Sequence, residues 1–350
     1  MTTLQSPHDL LNAVPFLIGY HPEESVVVVA LREEKIGLAM RIDYPDIFDP
    51  LPFETMTSHL QREEADGALL VLYAPDLANQ PGELGLMAKH IMERSNISVH
   101  EILIVQAGKF RSILCKDLQC CPVDGKLLPA IDDSRVAAEQ VFAGKIMPFK
   151  SRTDMEGSLA PLDSDPLAKL LAKRVHEINS ENLPELSLKQ MRVMAAENCA
   201  TVIDQFLNSV EAPDLELIAR LTVDLSDLTI RDYAFGITRE ETRSDLWSFW
   251  IWMFRISPKG FRAPSATLLA ALSYERGEAA LANQALEYAL ADNRDYSMAK
   301  LLKRTFAAGW PAEAFEAMRR ELHPRICQLI FGETEIETQV TNSKSIDGKI

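Results

Sequence analysis

No run of apolar residues in this 350-residue chain approaches the roughly 18 that a membrane-spanning helix needs. The first residues, MTTLQSPHDLL, carry neither a basic region nor an apolar core, so no secretory signal is expected. Cations are short as well. Lys and Arg number 36 against 51 Asp and Glu, leaving a formal charge of −15. Phosphate contacts need the opposite excess, which argues against general nucleic-acid binding and leaves solubility or a basic partner as the use of the acidity. Cysteine is sparse and odd in number, five in all, with three of them between Cys115 and Cys121. That is a poor disulfide framework and a better thiol or metal site in a reducing compartment, so a cytoplasmic location is expected.

Catalytic signatures are missing too. A dinucleotide fold wants G-x-G-x-x-G after its first strand, and this chain has REEKIG there. Ala107-Gly108-Lys109 lacks the first glycine of a phosphate loop, and neither H-E-x-x-H nor G-x-S-x-G occurs.

What is present is an ordinary globular composition, 47% hydrophobic and 25% charged, at a length that suggests two domains. The chain is organised around PFLIGYHPEESVVVVALR, Pro15 to Arg32. Val26 to Leu31 is a continuous β-branched and aliphatic run, the pattern of a strand buried on both faces. Gly19, Pro22 and Ser25 punctuate the approach, and Pro22 biases His21 toward an extended or turn conformation. His21, Glu23 and Glu24 therefore fall on a loop at one end of a central strand, where α/β proteins build sites.

Further strands are predicted over 36–43, 68–74, 101–106 and 110–115, and helices over 8–14, 53–64, 82–95 and 133–143. Hairpins at 26–43 and 101–115 make the expected sheet mixed. Pro148, Gly157, Pro161 and Pro166 then punctuate a polar stretch. The expected organisation is an α/β mixed-sheet domain over 1–150, a linker over 151–165 and an all-α domain over 166–331. A polar tail, 332–350, lacks the apolar content to offset the entropy of ordering it.

PFLIGYHPEESVVVVAL, MRIDYP at Met40 to Pro45 and LCKDLQCCPVDGKLL at Leu114 to Leu128 together resemble the actinobacterial domain-of-unknown-function family 4192, over most of the chain to about Gly309. The resemblance implies architecture and an intracellular bacterial context. It brings no activity and no catalytic residue.

Cys115, Cys120 and Cys121 form C-x4-C-C-P. Three readings stand: small hydrophobes packed at the surface of the core, a redox pair, or thiolate ligands to zinc with His21 as a fourth donor. His21 itself is either a turn residue or, with Glu24 and the cysteines, part of a ligand or redox site. Asp43, Asp117, Asp132 and Asp133 are acids near predicted strand ends. Arg231-Asp232 falls at an expected helix start, where the aspartate would cap.

The second half reads as helices throughout. LWSFWIWMFRI, Leu246 to Ile256, holds three of the four tryptophans and is apolar on nearly every face, as a central helix is. From Ala266 to Ala299, small residues at Ala270, Ala282 and Ala289 and a turn at Gly277 follow a tetratricopeptide-like hairpin. Two functions follow as expectations. One is a non-enzymatic adaptor that binds a protein partner through its helical domain, alone or as an oligomer. The other is an enzyme or a ligand or redox sensor with its site at the His21 loop and the Cys115–Cys121 segment.

Overall fold

Val26 to Ala30 are buried from end to end, and the first half of the chain is built outward from them. The computed structural model describes residues 4–33, 35–47, 49–78, 80–143, 145–181, 186–209 and 213–332. The chain divides into two compact units, one up to Ser158 and one from Leu159 onward.

The first unit contains α1 (Pro7–Ile18), β1 (Ser25–Arg32), β2 (Lys35–Asp43), α2 (Leu51–Arg62), β3 (Gly67–Tyr73) and α3 (Pro81–Arg94). It continues with β4 (Ser98–Gln106), β5 (Lys109–Ser112), β6 (Lys126–Leu127), α4 (Arg135–Phe142) and α5 (Arg152–Ser158). Its sheet has the order β2-β1-β3-β4-β5-β6. β3 and β4 are parallel, joined by the α3 crossover, and the other neighbours are antiparallel. The mixed sheet read from the sequence is therefore observed, with β2 at its edge.

Alternation explains the two-faced burial of β1. Val26, Val28 and Ala30 join Leu70, Leu72, Ile102 and Ile104 against Phe53, Met56 and Leu60 of α2 and Leu84, Ala88 and Met92 of α3. Val27, Val29, Val71 and Leu103 point the other way and are equally buried. α3 lies close because Gly85 has no side chain; a Cβ there would stand 2.9 Å from Ile102 Cγ2.

Some boundaries differ from the sequence reading. α1 continues through Pro15 to Ile18 and stops at Gly19, whose left-handed backbone (φ 89°) lets its N–H donate to the Pro15 carbonyl. β5 ends at Ser112, so Cys115 is not a strand residue. The Ser112 hydroxyl accepts the N–H groups of Leu114 and Cys115 and draws both off the sheet ladder. β6 and α5 carried no periodicity long enough to read.

The second unit holds α6 (Pro166–Ser180), α7 (Leu188–Asn208), α8 (Leu215–Asp224), α9 (Leu228–Gly236), α10 (Arg243–Ile256), α11 (Arg262–Glu275), α12 (Ala279–Asp292), α13 (Ser297–Ala307) and α14 (Ala312–Phe331). Among the described residues four helices follow Ile256, and the last, α14, runs on to Phe331 through Pro324. α9 is capped by Asp227, whose carboxylate accepts the Thr229 N–H; Asp232 lies inside the helix and pairs with buried Arg231. The Trp-rich segment is core: Phe249, Trp250, Met253 and Phe254 of α10 are buried, and Trp247 Nε1 donates to Ser273 Oγ of α11 at 2.9 Å. α11 and α12 pack closely over the fully buried Ala270, Ala282 and Ala289.

A fully buried ion pair ties α14 to α11. Arg319 donates to both carboxylate oxygens of Glu275, at 2.7 and 2.9 Å, and to the Thr238 carbonyl at 2.7 Å. No helix of the described residues is long and apolar enough to cross a membrane. Of the tail read as disordered, only Gly332 is described; residues 333–350 lie outside the described residues.

Candidate functional site

β1 runs antiparallel to β3, so its first residue lies beside the last residue of β3, Ser25 opposite Tyr73. Tyr73 in turn lies beside Val105 of the parallel β4. The His21 loop thus stands at the carboxyl ends of β3 and β4, the end of an α/β sheet where ligands bind. A cleft of about 1140 Å³ opens there. Larger still, at about 1380 Å³, is a second cleft at the opposite strand ends, near Leu31, Asp66 and Ser98. Size does not choose between them; the concentration of ionisable and hydroxyl groups at the first does.

Local backbone bonds place the His21 loop. Gly19 ends α1, and Tyr20 then bridges to Phe149, with the His21 N–H donating to the Phe149 carbonyl at 2.9 Å and the Phe149 N–H returning to Gly19 at 3.0 Å. Glu24 holds a positive φ of 38°, fixed by its carbonyl accepting the Tyr44 N–H at 2.8 Å. On the far wall, Gln106 donates to the carbonyls of Pro75 and Ala78, and Asp76 accepts the Ala107 N–H. These bonds fix the loop after β3 to the turn after β4.

The cleft is electrically mixed and acidic on balance. Glu23, Glu24, Asp43, Asp46 and Asp76 line it with Arg41 and Arg152. Arg41 pairs with Asp43, and Arg152 Nη1 stands 3.7 Å from the same carboxylate. Arg41 Nε is buried with no hydrogen-bond partner. Burial holds the His21 imidazole below its ordinary range, against the pull of Asp132 and Glu23, so the ring is neutral near pH 7. Burial also raises the Tyr20, Tyr44 and Tyr73 hydroxyls, which keeps all three as donors. A neutral imidazole beside protonated phenols can take a proton from a bound molecule and supply donors to it.

Of the residues singled out in the sequence, His21 and Glu24 line this cleft, as does Asp43. Cys115, Cys120 and Cys121 do not. Their sulfurs converge on one another, all within 4.8 Å. Cys120 is exposed, and Cys115 and Cys121 are half-buried. Burial pushes the Cys121 thiol up, and the neighbouring Cys115 and Cys120 add to it.

His21 is not a fourth member of the cysteine group. β5 runs back along β4, so Ser112 pairs with Leu103 and the Ile113 N–H donates to Ile102, while the His21 loop stands level with Val105. Among the described residues the group that could hold a metal is Cys115, Cys120 and Cys121 without His21, and the cleft that His21 lines does not include them. Arg41, Arg152, Tyr20 and Gln106 were not singled out in the sequence. For Arg41, Tyr20 and Gln106 the only signal was that each stands within a residue or two of a strand end or of the His21 loop; Arg152 carried none.

No curated protein and no solved structure matches the chain. A family model matches residues 7–313, most of the length. The chain belongs to the DUF4192 family, a domain of unknown function.

Proposed function

We propose that the α/β unit binds a small polar molecule carrying an amine or another cationic group in the cleft at the carboxyl ends of β3 and β4, with neutral His21 as the proton acceptor. The observation that carries this is the lining: five carboxylates against two guanidinia around one histidine and three tyrosines. An acidic cleft concentrates cationic ligands. The buried, unpartnered Arg41 Nε supports a ligand that also brings an acceptor, since a buried donor left unpaired costs about 1–3 kcal/mol.

The test is a thermal-shift and calorimetric screen of amines, amino acids and nucleosides against the full chain. A hit should bind wild type saturably, weaken at least tenfold in the Glu23→Gln, Asp46→Asn double variant, and change its pH dependence in His21→Ala. Equal binding by the double variant, or a screen without a saturable hit, sinks the reading.

A second reading keeps the helical unit as a tetratricopeptide-like adaptor. Its support is the closely packed α11–α12 hairpin. Against it, α11 is buried along nearly its whole length and offers no open concave face, the surface through which such repeats bind.

A further inference from the structure

The segment between β5 and β6, residues 113–125, contains neither helix nor strand. A connection of this length without structure of its own is uncommon in a compact domain and is usually functional. Ile113 and Leu114 anchor its start against the core, but beyond them hydrophobic burial does not hold it, because Leu118 and Val123 are 68% and 73% exposed. What shapes it is polar. The Ser112 hydroxyl donates to Glu101 Oε1 at 2.6 Å and accepts the Leu114 and Cys115 N–H groups. Asp117 accepts the Gln119 N–H through Oδ1, at 2.8 Å, and the Cys121 N–H through its carbonyl, at 2.7 Å. These bonds coil the chain through one turn and point three thiols at a common centre.

The three cysteines are free thiols whose sulfurs all lie within 4.8 Å of one another. They are close to the spacing imposed by a shared metal ion. A Zn–S bond of about 2.3 Å sets thiolates roughly 3.8–4.0 Å apart in tetrahedral or trigonal geometry. A contraction of an ångström or less, in an exposed segment, closes the difference.

We propose that Cys115, Cys120 and Cys121 bind one Zn²⁺ through three thiolates and that the ion clamps residues 113–125 onto the end of β5. Three Zn–S bonds form as three S–H protons pass to solvent, leaving a site of net charge −1. The fourth position belongs to water or an exogenous ligand, because the described residues bring no fourth His, Cys, Asp or Glu atom into the group. Thiolate ligands suit Zn²⁺ over the hard cations Mg²⁺ and Ca²⁺. The site is independent of the His21 cleft.

The experiment uses the full chain, reduced and stripped of metal. Titration with Zn²⁺ alone is followed by proton release, and titration with Co²⁺ by its thiolate charge-transfer absorption. The expected result is one ion per chain, with protons released on binding. Cys115→Ser and Cys121→Ser should each weaken binding at least tenfold. Cys327→Ser, whose sulfur stands 3.5 Å from His323 Nε2 in the other unit, should leave it unchanged. Amide exchange over 113–125 should slow on loading. No saturable uptake by the wild type overturns the proposal, as does uptake that survives both trio variants. So does a disulfide within the trio forming under mild oxidation in a protein that, when reduced, takes up no metal; that result assigns the thiols to redox chemistry.

Discussion

Asp224, at the end of α8, has a carboxyl pushed up to about 6, chiefly by burial, with Asn198 and Arg220 pulling the other way. The folded protein therefore keeps a proton that the unfolded chain, with its carboxyl near 3.8, has released. The stability linked to this proton is whole below about pH 3.8 and is lost as pH rises through 6. Asp224→Asn, neutral at every pH, should raise the melting temperature at pH 8, by about 1–2 kcal/mol of stability for this half-buried group, and leave it nearly unchanged at pH 3.5. Equal melting shifts at both pH values would refute the assignment. His323 acts in the opposite sense. Burial and the nearby Arg319 and Arg239 hold its ring below the ordinary 6.5, so its contribution is present above that pH and lost on acidification.

At the scale of elements, α14 sets His323 against α9 where α9 has no side chain. A Cβ on Gly236 would clash with the His323 side chain, and that ring already lies beside Tyr233, centroid to centroid 5.6 Å. Gly236→Ala must push the two helices apart or turn the imidazole out of its site. Overpacking of this kind costs about 1–3 kcal/mol. Urea denaturation should give a lower midpoint with an unchanged slope, and Gly236→Ala paired with His323→Ala should recover part of the loss. An unchanged midpoint in the single variant would show that the helices yield freely.

Elements were also what the sequence disclosed best. Val26 to Leu31 announced a buried strand because five of its side chains must leave water on both faces, and Leu246 to Ile256 announced a central helix by being apolar on nearly every face. Cys115, Cys120 and Cys121 met because local turns suffice to bring them together. Arg41, Asp43 and Arg152 share a cleft only through pairing between distant segments, which spacing along the chain does not encode. Arg152 even fell in the stretch read as linker. That Cys115 does not line the His21 cleft was within reach, since a hairpin over 101–115 already turns Cys115 back along the sheet.

For the whole molecule, the stretch between the last strand and the helical unit is not uniform. Lys145, Ile146 and Met147 are exposed. Leu159 is fully buried, and Ala160 and Leu162 are bonded to Arg255, whose Nε donates to the Ala160 carbonyl at 3.0 Å and whose carbonyl accepts the Leu162 N–H at 2.7 Å. Limited proteolysis should therefore cut first at 145–147 and spare 159–165. The piece beyond the cut keeps Phe149 bonded to Gly19 and His21, so the nicked fragments should still elute together under native conditions. Early cleavage at 159–165, or prompt separation of the fragments, would contradict this.

Twelve of the fourteen residues of α11 are buried, among neighbours on α9, α10, α12, α13 and α14. A helix enclosed in this way has no permissive side on which substitutions can accumulate. Any change at Ala270 or Leu269 must be answered on another helix before it is tolerated. The segment should thus drift most slowly of any in the unit and, when it drifts, do so in correlated pairs. In a saturation library selected for folding, substitutions along α11 should be depleted at nearly every position, whereas those on the outward side of α6 should pass.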